Sequence, residues 1–163
     1  MTSAAPRFDL APPTPEQMRA LVAALPADAR HLLIDHAEEA PFSGRALLME
    51  ARDGLYVCRT CGLPLLAAAT KFDSGTGWPC FNAPIAENHL RVGRDRRYGL
   101  NRTEVTCARC RSHHGHLFAD GPPPTGLRYC LNAGGLDFIP AGDPLPDKLG
   151  RGRPEGAAWP AQL

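Results

Sequence analysis

No apolar run in this chain approaches the length that a bilayer crossing requires. Charge of one sign is also missing: 18 Lys and Arg stand against 17 Asp and Glu, which removes the electrostatic case for a nucleic-acid partner. The basic residues are scattered except in RVGRDRR (91–97), read as a solvated loop, with an anion patch as the alternative. The N-terminal stretch MTSAAPRFDLAPP lacks the basic-then-apolar layout of a secretory signal. Cysteines that are not exported stay reduced, so the expectation is a cytoplasmic chain with free thiols. There is no internal repeat beyond one doubled cysteine spacing. The length, 163 residues, suits a single domain that can bury a core and still profit from a metal.

What the sequence does contain is concentrated in CARCRSHHGHLFADGPPPTGLRYCLN (107–132). Cys107 and Cys110 are spaced C-x-x-C, and Cys58 and Cys61 repeat the spacing upstream. Zinc takes four thiolates in a tetrahedron, and two intervening residues let one tight turn present both sulfurs. The gap between the pairs is wider than in a compact zinc ribbon, so the metal would clamp two distant parts of a larger fold. Two disulfides, or a redox C-x-x-C in a βαβ setting, are the rival explanations. Doubling of the pair favours zinc.

Cys130 lies in LRYCLN, where Leu127, Tyr129 and Leu131 alternate with Arg128, Cys130 and Asn132. Strand alternation sets Arg128, Cys130 and Asn132 on one face. A guanidinium beside a thiol favours the thiolate, the attacking form. Asn132 can donate to a reacting group or orient a histidine. A buried, inert free cysteine is the plainer alternative.

These residues carry a resemblance. PFSG (41–44), KFDSGTGWPCF (71–81), the cysteine pairs, RTEVTCARC (102–110), HHGHLFADGPPPTGLRYCLN (113–132) and GGLDF (134–138) together resemble the B-type peptide-methionine (R)-sulfoxide reductase family. The resemblance implies a structural zinc on Cys58, Cys61, Cys107 and Cys110, one per chain, and Cys130 as the nucleophile. It implies that His113 and His116, the histidines of the H-x-G-H motif, flank the sulfoxide oxygen, and that Trp78 walls the methyl pocket. Asp120 and Arg128 match residues that hold the hydrogen-bond network of the site; a structural ion pair is compatible with that role. Zinc ligation by the histidines is unnecessary, because four cysteines already close the shell. The implied reaction reduces methionine (R)-sulfoxide, free or in proteins, through a Cys130 sulfenic acid that a thioredoxin-like thiol reductant regenerates. The chain is expected to act as a monomer. A zinc-clamped β module that binds without catalysis is the main rival, and a thiol-based sensor is a third reading.

Several positions depart from the family pattern. Thr76 stands where many members carry a resolving cysteine, and Cys80 stands where serine is usual. If 76–80 is extended, Thr76, Trp78 and Cys80 share a face and Cys80 comes near Cys130. Cys80 is expected to be a small buried residue in a serine's place, with direct attack of the reductant on the sulfenic acid. His114 replaces a usual leucine and is expected to be packed or exposed. NAGGL (132–136) and Tyr98-Gly99-Leu100 loosen the match without touching Cys130.

Taken in order, the chain predicts a mainly β fold: zinc-clamped antiparallel sheets, β-tent-like by resemblance, with a short N-terminal helical segment. Residues 1–40 form the helical lead, 41–140 the reductase domain, and 141–163 a tail that cannot build a core and is expected to be disordered or draped over the surface. Thr14-Pro15-Glu16-Gln17 is a capping box, followed by the stripe Met18, Leu21, Val22 and Leu25, which Pro26 ends. A second helix is expected from Asp28 to about Glu38, with His31 and His36 on its surface. LPLLAAATKF (63–72) is a buried-strand candidate whose alanines also suit a helix. Short strands are expected at 50–58, 89–92, 103–107, 116–118 and 127–131. Trp159 in the tail is a candidate for docking at an unspecified place.

Overall fold

The computed structural model describes residues 7–152. Helix α1, Pro15–Ala23, begins as the residues dictate. The Thr14 side chain accepts from the Gln17 amide, and Gln17 returns the bond to the Thr14 amide. Its apolar stripe buries Leu21 against the main core. Helix α2, Ala27–Leu33, is a turn shorter than expected and packs Ala29, Leu32 and Leu33 inward. His36 therefore lies beyond the helix, with φ +60. A residue in the left-handed region cannot extend a right-handed helix. A third helical turn, α3, spans Arg45–Leu48.

Among the described residues nine strands follow: β1 Gly54–Cys58, β2 Pro64–Ala67, β3 Lys71–Phe72, β4 Cys80–Phe81, β5 Leu90–Asp95, β6 Arg102–Cys107, β7 His113–Phe118, β8 Arg128–Leu131 and β9 Leu136–Pro140. They form two sheets, ordered β2-β1-β9 and β3-β4-β8-β7-β6-β5, and every pairing is antiparallel. The candidate strand 63–72 divides into β2 and β3. Its alanines turn the corner in a 3-10 segment, Ala68–Thr70, closed by Thr70 Oγ1 donating to Ala67 O at 2.9 Å. Between the sheets lie Tyr56, Leu63, Leu65, Leu66, Phe81, Val105, Leu131 and Leu136. Each large apolar side chain fully buried there contributes roughly 1.5–3 kcal/mol. In β8 the alternation holds: Tyr129 and Leu131 enter the core, whereas Arg128 and Cys130 stay partly open.

Residues 141–152 run along the surface. Arg151 Nη1 donates to Ala11 O at 2.7 Å, Lys148 Nζ donates to Arg59 O, and Leu149 packs on the core. Residues 153–163, with Trp159, lie outside the described residues. Among the described residues, no helix is long and apolar enough to cross a membrane.

Candidate active site and metal centre

The two C-x-x-C turns are built alike. Gly62 donates to Cys58 O at 2.7 Å and Arg111 to Cys107 O at 2.8 Å. The Cys58 amide then reaches Leu63 O at 2.8 Å and the Cys107 amide Ser112 O at 2.9 Å. The turn needs a left-handed residue after the second cysteine, and both supply one: Gly62 at φ +81 and Arg111 at φ +66. Arginine stands in the second knuckle where the first has glycine, yet the two backbones match, with Arg111 bearing the strain.

Cys58 ends β1 and Cys107 ends β6, so the two turns bring the two sheets to one point. Cys58 Sγ lies 3.6 Å from Cys110 Sγ, and Cys61 Sγ lies 3.6 Å from Cys107 Sγ. All four sulfurs fall within 4.8 Å of one another and all four residues are buried. A disulfide requires about 2.05 Å, so these contacts are not bonds. Sulfurs each about 2.3 Å from a tetrahedral ion stand roughly 3.8 Å apart, so the cluster fits zinc.

A second cluster crosses the six-stranded sheet in one row. Cys80 on β4 faces Cys130 on β8, Cys130 faces His116 on β7, and His116 faces Glu104 on β6. Regular alternation would send His113 and His116 to opposite faces. A β-bulge prevents this: Val105 pairs with Gly115 but Thr106 pairs with His113, so β7 carries an extra residue. The two rings therefore meet, with centroids 5.5 Å apart. His114 turns the other way, fully buried, with Nε2 3.3 Å from Cys58 Sγ. One strand thus serves both centres.

Carboxylates fix the imidazoles. Glu104 Oε2 accepts from His113 Nδ1 at 2.6 Å, His36 Nδ1 at 2.7 Å and Arg97 Nη2 at 2.6 Å. Burial opposes its charge, yet hydrogen bonds from His36, Arg97 and His113 hold the carboxyl below its usual range. With Nδ1–H given to Glu104, His113 keeps a lone pair on Nε2, a buried atom without a partner among the described residues. Burial lowers His113 to about 4 against the pull of Glu104, so near neutral pH this imidazole is uncharged. His116 Nε2–H donates to Asp95 Oδ2 at 2.7 Å. Asp95 stays ionised: burial opposes its charge, but His116 and Arg97 hold it well below the carboxylate range.

The loop at 36–39 closes over this row, and each of its residues is tied down. His36 stacks on His113 at 5.1 Å, and Glu38 Oε1 accepts from Arg102 Nη1 at 2.5 Å. Asn132 Nδ2 donates to Ala37 O at 3.1 Å, and Asn132 Oδ1 accepts from the Glu39 amide at 3.3 Å. Both ends of Asn132 are therefore engaged with backbone, which makes it a tether for the loop. Trp78 Nε1 donates to Glu39 O at 3.1 Å, fixing the indole over the same loop. Sequence reasoning placed His36 on a helix surface and passed over Glu104 and Asp95. The available signal was an acidic residue beside Val105 in the half-buried strand RTEVTC.

Arg128 is oriented from two sides. Its Nε and Nη2 donate to Asp120 Oδ1 and Oδ2 at 2.9 and 3.2 Å, and its guanidinium lies 4.4 Å from the Phe118 ring centre. The residues 76–80 are not extended: Gly75 and Gly77 take φ +74 and +91 and turn the chain. Cys80 nevertheless meets Cys130, because it has already entered β4. The thiols share their protons. Cys80 is lowered to about 6, first by a hydrogen bond from Cys130 and, against burial, by Ser74, Arg128 and Thr76. Cys130 is held up by that same bond, by burial and by the Cys80 charge, while Arg128 pulls it down.

Two antiparallel sheets joined at a four-cysteine cluster that fits a metal ion, with a thiol pair beneath carboxylate-oriented histidines, define a β protein equipped for cysteine chemistry. Residues 25–140 match the SelR domain family. A peptide methionine sulfoxide reductase MsrB of Xylella fastidiosa (strain M23) is 55% identical over 145 residues, covering 89% of this chain and 93% of its own length. One from Caulobacter vibrioides (strain NA1000 / CB15N) is 55% identical over the same span, covering 91% of its own length. One from Pseudomonas putida (strain KT2440 / ATCC 47054) is 58% identical over 102 residues, 63% of this chain and 77% of its own. The chain belongs to the SelR family of peptide methionine sulfoxide reductases.

Proposed function

We propose that the protein reduces methionine (R)-sulfoxide, free or within proteins, with Cys130 as the nucleophile. The observation that carries this reading is the half-buried Cys130 directly opposite His116 on the neighbouring strand, beside His113. Cys130 gives its thiol proton to His113 Nε2 and attacks the sulfoxide sulfur as the thiolate. The oxygen, basic once the sulfur is attacked, takes a proton through the histidines and passes to Cys130 sulfur. Methionine leaves reduced by two electrons, and Cys130 is left as a sulfenic acid. His113 Nε2 suits the transfer because a neutral imidazole with a free lone pair can accept the thiol proton and hand it on. Arg128 favours the thiolate, Asp120 orients Arg128, and Trp78 walls the methyl pocket. Asn132 supports the site through the loop it tethers.

Zinc on Cys58, Cys61, Cys107 and Cys110, one ion per chain, has a structural part in this reading, since a full thiolate shell leaves no open position. A thioredoxin-like dithiol returns the enzyme to its reduced state, and the chain acts as a monomer. Residues 1–40 form a lead to the reductase segment 41–140 and residues 141–163 a tail. Within that division the lead serves the site through His36 and its loop. Turnover of separated epimers tests the assignment. The R epimer should be reduced and the S epimer not, with loss of activity in Cys130→Ser and a fall of about two to four decades in His116→Ala. Undiminished activity in Cys130→Ser would refute it.

A further inference from the structure

The sheet pairs Cys80 with Cys130, residue for residue. One step along, the Leu131 amide donates to Pro79 O at 3.0 Å, so residues 79 and 131 occupy a hydrogen-bonded position. Hydrogen-bonded and open positions alternate in an antiparallel ladder, which puts Cys80 and Cys130 at an open one. Opposed Cα atoms there stand about 4.5 Å apart with their side chains closest. A disulfide accepts Cα separations of about 4.4–6.8 Å. The other four cysteines are committed to the metal cluster, so Cys80 is the sole remaining thiol.

Building on the reductase reading, we propose that Cys80 resolves the Cys130 sulfenic acid by closing a cross-strand disulfide within the sheet, without movement of the backbone. Cys80 sulfur attacks Cys130 sulfur, the S–O bond breaks, and the oxygen leaves as water with the proton of the second thiol. Two thiols are oxidised for each sulfoxide reduced, so the electrons balance. This replaces direct attack of the reductant, which the sequence alone favoured.

Accessibility divides the labour between the sulfurs. Cys80 is fully buried, while Cys130 is partly exposed. A substrate therefore meets Cys130, and so does the external dithiol that reopens the bridge. Attack on Cys130 sulfur expels Cys80, whose departing thiolate Ser74, Arg128 and Thr76 stabilise by hydrogen bonding. Thr76 Oγ1, 3.9 Å from Cys80 Sγ, and Trp78 O, 3.5 Å away, help hold that sulfur in place.

The test uses the full zinc-loaded chain, reduced and freed of reductant, given one equivalent of methionine (R)-sulfoxide. Wild type should lose two thiols per methionine formed and yield a Cys80–Cys130 linked peptide in most molecules. In Cys80→Ser and Cys80→Ala, one thiol should be lost per methionine, and a dimedone adduct should accumulate on Cys130. Thioredoxin-driven turnover in both variants should fall at least tenfold. Methionine formation with Cys80 still free, or full thioredoxin-driven turnover in both variants, overturns the proposal. A parallel sample receives one equivalent of hydrogen peroxide, which oxidises Cys130 without a sulfoxide. If no methionine forms from either epimer, the reductase reading fails, and the peroxide arm alone then decides whether Cys80 captures oxidised Cys130.

Discussion

Replacing Gly115 by alanine should separate the two strands that carry the site. Gly115 sits on β7 at φ +150, paired with Leu131 and with Val105. A Cβ at this position would stand 2.1 Å from Cys130 O, 2.9 Å from Leu131 Cα and 3.0 Å from Cys130 C, all backbone atoms. Ordinary contact begins at 3.4 Å, so β7 and β8 must part by about 1.3 Å. Overpacking of this kind costs about 1–3 kcal/mol, and the disfavoured φ adds on the order of 1 kcal/mol. We therefore expect Gly115→Ala to lose about 2–4 kcal/mol in urea unfolding. The same displacement moves His116 away from Cys130, and a misplacement of about 1 Å can cost on the order of a hundredfold in rate. Gly93→Ala provides the control. Gly93 faces Glu104 in the same row, yet a Cβ there meets nothing within 4 Å among the described residues, so its stability should change by less than about 0.5 kcal/mol. A Gly115→Ala protein with wild-type urea midpoint and wild-type kcat/KM would refute the reasoning.

Other outcomes follow from the remaining centres. Purified protein should contain one zinc per chain by elemental analysis; Cys58→Ser, Cys107→Ser or chelation should lower the unfolding midpoint sharply, because metal affinity is part of the folding energy. Arg111→Gly should raise stability by about 1 kcal/mol in the same measurement, since it relieves a left-handed backbone at an exposed side chain. Acidification should weaken the fold through His113, whose folded value of about 4 lies below the unfolded 6.5 because of burial. The unfolded state binds the extra proton between those values. The stabilisation is thus whole above 6.5 and is lost as pH falls toward 4, by on the order of 3 kcal/mol. Urea midpoints against pH should be flatter in this window for His113→Asn than for wild type.

Local chemistry was legible in the residues themselves. Thr14 and Gln17 specify the start of α1 because a capping box closes within four residues. Two C-x-x-C pairs specify a pair of knuckles because each is a single turn, and alternation in LRYCLN separates Cys130 from the core side chains around it. These features depend on neighbours in sequence. Long-range register was not legible. A one-residue slip of β4 would turn Cys80 away from Cys130, and nothing local to KFDSGTGWPCF excludes that slip. The bulge that unites His113 with His116 and sends His114 to Cys58 exists only once β6 has paired with β7. His36 becomes part of the site because Glu104, 68 residues away, accepts a hydrogen bond from its Nδ1. The sequence by itself supplied the reactive side chains and the short turns and caps around them. The packing of the sheets decided which of them meet, because strand pairing and burial are set by contacts between segments far apart along the chain.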